Sequence, residues 1–162
     1  MLIKLLVTML LGSIGQIAPA ETAKPEDVIS SITQEIIDEI KTKPDLASGN
    51  LGSINQLVDK KVMPILDFEK MTSLAVGKQW RAATESQKLS LMRVFRQLLL
   101  LTYSGSIKFA DQAKVKILPP RGKQNEKNVV VKTRVSVPGR QAVPINYRMK
   151  MTEDGWKIYD LN

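Results

Sequence analysis

The chain has 162 residues, a length that fits one domain, and its 24 Lys and Arg against 16 Asp and Glu give a net charge of +8. It contains no cysteine and no histidine, which excludes Ser-His-Asp and Cys-His catalytic relays and metal sites built on those side chains. The positive excess favours an anionic partner, such as a membrane surface, a nucleic acid or an acidic protein face.

The first twenty residues have the pattern of a secretory signal peptide. Lys4 is the only charge in residues 1–20, residues 5–11 form a short apolar run, and Ala18-Pro19-Ala20 offers small residues for cleavage. The alternative is a membrane anchor, but a spanning helix needs about 20 apolar residues and this run is much shorter. Cleavage leaves residues 21–162 as a single domain with a net charge of +7, and export disfavours a nucleic-acid partner.

Three helices are predicted before residue 80. Pro25 suits the first turn of a helix that Pro44 ends. Ser53 to Gln56 has the form of a capping box and predicts a second helix. Asp67 is placed to cap a third, short helix that Gly77 closes.

A fourth helix is predicted from the capping-box pattern Thr84 to Gln87 as far as Tyr103. Its apolar face follows helical spacing through Leu91, Val94, Phe95, Leu98, Leu99 and Thr102. Other apolar residues extend beyond that face, so the helix needs cover on several sides. Periodicity alone leaves open whether a protein core or a bound ligand supplies that cover.

From Lys114 the apolar period changes to two, which predicts short antiparallel strands. We therefore predict an α+β fold, with N-terminal helices packed on one face of a C-terminal antiparallel meander sheet and an apolar pocket between them. The other sheet face is predicted to be basic, with no acid in its strands. Its cations are Lys114, Lys116, Lys132, Arg134, Arg148, Lys150 and Lys157.

The residues offer little for catalysis or base stacking. Asp67 is better placed as a helix cap and Asp154 as a turn residue than as members of catalytic carboxylate pairs. Tyr147 and Trp156 share a face with aliphatic residues and not with the cations, unlike nucleic-acid platforms. We predict no enzyme activity, no metal, no cofactor and no nucleic-acid partner. An enzyme acting on an apolar substrate would require a carboxylate or tyrosine buried in the pocket.

Several short segments together carry a family signature. They are Asp67-Phe68, Met71-Thr72, Val76-Gly77-Lys78, Trp80-Arg81-Ala82-Ala83-Thr84, Gln87, Phe95, Leu98-Leu99, Thr102-Tyr103, Tyr147-Arg148-Met149 and Gly155-Trp156-Lys157-Ile158-Tyr159-Asp160. In this order they resemble MlaC-type proteins, also described as toluene-tolerance proteins, which are periplasmic phospholipid-binding proteins of Gram-negative bacteria. The resemblance covers essentially the whole chain after the signal peptide.

The resemblance implies a soluble, monomeric periplasmic shuttle that maintains the lipid asymmetry of the outer membrane. It would carry phospholipid between an MlaA-type outer-membrane lipoprotein complex and an inner-membrane transporter with MCE domains. The family fold holds two acyl chains between helices and a twisted sheet, with the head group near the surface. The family also continues past the position of Asn162, so this chain is expected to be a fragment or a short member, with one side of its pocket open.

We expect a lipid-binding pocket lined by residues of the third and fourth helices and of the inner sheet face. They are Phe68, Met71, Leu74, Phe95, Leu98, Leu99, Tyr103, Val131, Val135, Tyr147, Met149 and Trp156. Arg148 and Lys150 belong to the opposite sheet face and are not expected to touch acyl chains. The alternative function is a non-catalytic exported interaction module whose basic sheet face binds an acidic partner.

Overall fold

The computed structural model describes residues 23–120 and 125–162. The predicted signal peptide, residues 1–20, lies outside the described residues. Helices come first along the chain and an antiparallel sheet follows, which confirms the predicted α+β fold. No helix in the described part of the chain is long and apolar enough to cross a membrane.

The described residues form five α-helices. These are α1 (Pro25–Thr42), α2 (Pro44–Ala47), α3 (Leu51–Leu57), α4 (Phe68–Val76) and α5 (Glu85–Tyr103). The chain continues from α3 through a wide π-helical turn, Val58–Val62, and a tight 3₁₀ turn, Met63–Ile65. Two longer 3₁₀ segments, Gly77–Ala82 and Ser104–Gln112, follow α4 and α5.

The helix starts follow the predicted capping chemistry in two of three cases. The backbone N–H of Gln87 donates to Thr84 Oγ1 at 3.3 Å, and that of Lys70 donates to Asp67 Oδ1 at 3.0 Å. The capping box predicted at Ser53 is wrong. The cap is Asn50, whose Oδ1 accepts from the Ser53 N–H at 3.0 Å, because a cap side chain reaches the amide two or three residues ahead of it.

In the part of the chain that the structure describes, four strands follow, named β1 (Lys114–Leu118), β2 (Asn128–Ser136), β3 (Val143–Thr152) and β4 (Gly155–Leu161). They pair antiparallel in sequence order, which confirms the predicted meander. The inner face of this sheet and α1 form one hydrophobic cluster, called here the sheet core. Its buried members are Ile29, Val129, Val131, Met149, Trp156 and Ile158.

A second cluster, the helical core, lies among the helices and consists of Ile40, Leu46, Ile54 and Leu57. Helix α1 contributes to both clusters, with Ile29 in the sheet core and Ile40 in the helical core. These two residues are about 16 Å apart along the axis, at 1.5 Å per residue. The described residues therefore form two separate buried clusters joined along α1.

A β-bulge in β4 changes which side chains reach the inner face. Arg148 pairs with Asp160, but the next residue of β3, Met149, pairs with Ile158, which leaves Tyr159 as the extra residue. Strict alternation would have put Asp160 on the inner face. The bulge places Asp160 outside, where its carboxylate accepts from Arg148 at 3.4 Å, and turns Leu161 inward. The prediction that the outer face has no acid in its strands is therefore wrong.

Candidate functional site

An apolar cavity of about 270 Å³ lies between the helical core and the sheet core. Ile54 and Val58 on one wall belong to or pack on the helical core, while Leu66 and Met71 on the other pack on the sheet core. The apolar side chains that line it are Ile54, Val58, Val62, Met63, Leu66, Phe68, Met71, Leu99, Leu100, Tyr103, Ile107 and Leu161. Such a lining suits a hydrocarbon ligand better than a polar one.

The segment around Pro64 creates one wall by carrying the chain from the helices to the sheet. Pro64 has no N–H to continue an α-helix, and it lies in the 3₁₀ turn that ends α3 and its π-helical extension. Leu66 then forms a parallel bridge with Ile158, and the Asp67 N–H donates to the Ile158 carbonyl at 2.8 Å. Helix α4 thus starts at the edge of β4 and closes that side of the cavity.

Helix α5 forms the opposite wall with one side only. Leu99, Leu100 and Tyr103 line the cavity, whereas Val94 and Leu98 are 60% and 58% exposed. No residue of α5 is fully buried. In the described part of the chain the protein covers α5 mainly through α4 and the 3₁₀ segment after Tyr103, so whether a ligand covers the remaining apolar side stays a prediction.

The structure brings part of the expected pocket together. Phe68, Met71, Leu99 and Tyr103 line the cavity, and Phe95 stacks against Phe68. The other expected residues lie elsewhere. Val131, Met149 and Trp156 are buried in the sheet core, Tyr147 packs against it, Val135 is half-buried in β2, and Leu74 and Leu98 are exposed. A role of any of the twelve in lipid binding stays a prediction.

Sequence reasoning missed the other lining residues, which are Ile54, Val58, Val62, Met63, Leu66, Arg96, Leu100, Ser104, Ile107 and Leu161. Val58, Val62 and Met63 precede Pro64 in the π-helical and 3₁₀ turns, and apolar residues shortly before a helix-breaking proline were a usable signal. Leu161 reaches the cavity only because of the β4 bulge, and the residue pattern of the strand does not predict that bulge. Arg96 was not among the expected pocket residues, yet its side chain also lines the cavity.

Arg96 is the only charged side chain that lines the cavity in the described residues. Its Nη2 donates to Asp59 Oδ1 at 2.5 Å, which links α5 to the π-helical turn after α3. The Arg96 side chain is 25% exposed and that of Asp59 is 56% exposed. The pair therefore lies where the cavity meets solvent.

Two lysines of the basic outer sheet face are bound by groups of the chain itself. Lys150 forms an ion pair with Asp67, and Lys157 Nζ donates to the Pro64 carbonyl at 2.7 Å. Burial raises the pKa of the Asp67 carboxyl, but the bonds from Lys150 and the Lys70 N–H outweigh it and hold that pKa below its usual value. These contacts fasten the start of α4 to the sheet.

Among the described residues, the ionisable groups include a tyrosine whose pKa is raised and no metal site. Burial raises the pKa of Tyr147, and a hydrogen bond with Thr133 only partly offsets it, so the phenol is neutral at pH 7. No cluster of acidic side chains suited to a metal ion occurs within residues 23–120 and 125–162. In the described residues the cavity offers hydrocarbon contact, the polar Ser104 and a single guanidinium at its edge.

Comparisons with known proteins agree with this geometry. A family model described as MlaC protein matches residues 30–162. The chain is also similar to a phospholipid-binding protein from Ralstonia solanacearum, solved in complex with a phospholipid. The two share 34% sequence identity with a TM-score of 0.80, and the match covers 86% of this chain and 78% of that one.

Proposed function

The chain belongs to the MlaC family, and on that premise we propose that it is a periplasmic phospholipid carrier whose cavity holds acyl chains. The observation that carries the proposal is the apolar cavity between the two cores, in a chain related to a protein solved with a phospholipid bound. Family membership agrees with the prediction that the chain is not an enzyme.

The energetics of chain burial suit a carrier. Each methylene removed from water contributes about 0.8 kcal/mol, so two chains with roughly thirty methylenes gain about 24 kcal/mol in total. A bilayer offers nearly the same gain. The preference between membrane and cavity is then a small difference between large quantities, so lipid is both taken up and released. The direction of lipid transport between the two membranes is then determined by the partner proteins. We propose that these are an MlaA-type lipoprotein complex and an MCE-domain transporter.

The cavity must widen to hold a whole phospholipid. Pockets for drug-sized ligands occupy roughly 300–1,000 Å³, and this cavity has about 270 Å³. Helix α5 is the wall best suited to move, because its outer side is exposed and few contacts hold it. Outward movement of α5 would separate Leu99 from Met71 and lengthen the apolar space between them.

The alternative, an interaction module that uses the basic sheet face, has weaker support. Arg148 and Lys150 form ion pairs with Asp160 and Asp67, which neutralises part of the positive charge, and Lys157 donates to the Pro64 carbonyl. The cavity, in contrast, remains unexplained by that alternative.

The carrier proposal is tested by phospholipid transfer between vesicles. Donor vesicles carry a fluorescent phospholipid and a quencher, and acceptor vesicles carry neither. We expect the transfer rate to rise in proportion to protein concentration. A folded protein that leaves the spontaneous rate unchanged would contradict passive carriage.

A further inference from the structure

We propose that Arg96 binds the phosphate of the lipid at the mouth of the cavity, so that the phosphodiester, and not the chains alone, determines which lipids are held. This inference rests on the proposed carrier function. It starts from the position of the one charged lining residue found in residues 23–120 and 125–162.

The two ends of the Arg96 side chain lie in different surroundings. The side chain lines the cavity beside Leu99 and Leu100, while its guanidinium bonds to a carboxylate that is more than half exposed. Arginine commonly lays its methylenes along apolar surface and keeps its charged end in water. The guanidinium of Arg96 therefore marks the boundary between the hydrocarbon space and solvent.

The covalent structure of a phospholipid matches this boundary. Both acyl chains and the phosphate are attached to one glycerol, so chains placed in the cavity bring the phosphate to its mouth. A guanidinium presents five N–H donors in a planar fork, and pairs of them bind two oxygens of a phosphate. Since the phosphate is common to phospholipids of every head group, this contact selects phospholipids over neutral lipids without selecting a head group.

Asp59 uses only part of the hydrogen-bond donors of Arg96, but its negative charge opposes phosphate binding. One hydrogen bond, from Nη2 to Asp59 Oδ1, joins the pair, and further Arg96 donors are available to a second anion. The Asp59 carboxylate fixes the direction of the guanidinium, but its negative charge repels a phosphate at the same place. Removing the charge of Asp59 should thus strengthen phospholipid binding, whereas removing that of Arg96 should weaken it.

The experiment compares binding of phosphatidylcholine and of diacylglycerol with identical acyl chains, measured by native mass spectrometry of delipidated protein. We expect the unaltered chain to prefer the phospholipid by about tenfold or more, the size of a charge-assisted contact. Arg96→Gln should remove most of that preference, and Arg96→Lys should retain part of it. Arg93→Gln is the matched control, since Arg93 is exposed on the same helix and does not line the cavity.

The outcomes separate the two proposals. Equal binding of both lipids by the unaltered chain, or an unchanged preference in Arg96→Gln, overturns the role of Arg96 and leaves the carrier function standing. A folded chain that binds neither lipid overturns both. Asp59→Asn keeps Arg96 in place should Arg96→Gln fail to fold. It is expected to raise phospholipid affinity without changing that for diacylglycerol, and a loss of phospholipid affinity would contradict the proposal.

Discussion

The rings of Phe68 and Phe95 stack with their centroids 5.7 Å apart and their planes inclined by 21°. This contact joins the first residue of α4 to the middle of α5. Phe68 is only 7% exposed and lines the cavity, so the pair both holds the two helices together and sets the width of the space between them.

Phe95→Ala is expected to lower the free energy of unfolding by about 2 kcal/mol, because it removes the ring contact and leaves a gap beside Phe68. Denaturant unfolding measures the loss. Leu98→Ala is the control and should change stability by less than about 0.5 kcal/mol, since Leu98 is exposed on the same helix. Equal losses in the two variants would mean that α5 packs differently.

Leu99→Trp should reduce phospholipid loading and leave the fold intact, because the larger side chain fills the cavity that the acyl chains would occupy. Loading is measured by extracting lipid from purified protein and dividing by protein concentration. Leu98→Trp, one residue away and exposed, should load normally. If Leu98→Trp blocks loading and Leu99→Trp does not, the chains lie on the outer side of α5.

A second pair of variants tests the β4 end of the cavity. Leu161→Asp places a charge in the lining and should lower loading, with little effect on stability since Leu161 is 49% exposed. Leu74→Asp is matched in chemistry and exposure, at 46%, but Leu74 is not a lining residue. Normal loading is expected for Leu74→Asp, and a loss equal to that of Leu161→Asp would favour the original expectation that Leu74 touches lipid.

The order of elements and the inner sheet face were predictable from sequence because they depend on local chemistry. Capping at Asp67 and Thr84 and the alternation of Val129 and Val131 follow from patterns a few residues long. The cavity depends on non-local geometry. The helical core and the sheet core are both apolar, so the residues that fill a core and those that line a gap have the same character.

Two features show why the rest was missed. Leu161 faces inward only because Tyr159 is an extra residue in β4, and bulges depend on pairing with the neighbouring strand. The exposed side of α5 carries Val94, Leu98 and Leu101, which have the same helical spacing as a buried stripe. Periodicity identifies an apolar face but does not say what covers it.

The ion pair between Asp67 and Lys150 predicts a pH-dependent contribution to stability. The pKa of Asp67 is lower in the folded state than its usual value. The contribution of the ion pair to the free energy of unfolding is therefore complete above the unfolded pKa of about 3.9, and it is lost as the pH falls through the pKa of the folded state. Asp67→Asn keeps a capping side chain but loses the charge. At pH 7 the unaltered chain should be more stable than the Asp67→Asn variant by about 1 kcal/mol.

Denaturant unfolding of both forms at several pH values measures that difference, which should shrink as the pH falls below the unfolded pKa and through the lower folded pKa of Asp67. Comparing the two forms removes the contribution of the other carboxylates, such as Glu35, whose bond to Lys61 also lowers its pKa. A difference that stays constant between pH 7 and pH 2 would show that the Asp67 charge does not stabilise the fold.

The most direct test of the carrier account is native mass spectrometry of the protein after export to the periplasm and purification without added lipid or detergent. We expect a population whose mass exceeds that of the polypeptide by one phospholipid, with the same lipid recovered by solvent extraction. Circular dichroism confirms that the sample is folded. A folded sample that carries no phospholipid by either measurement would contradict the account.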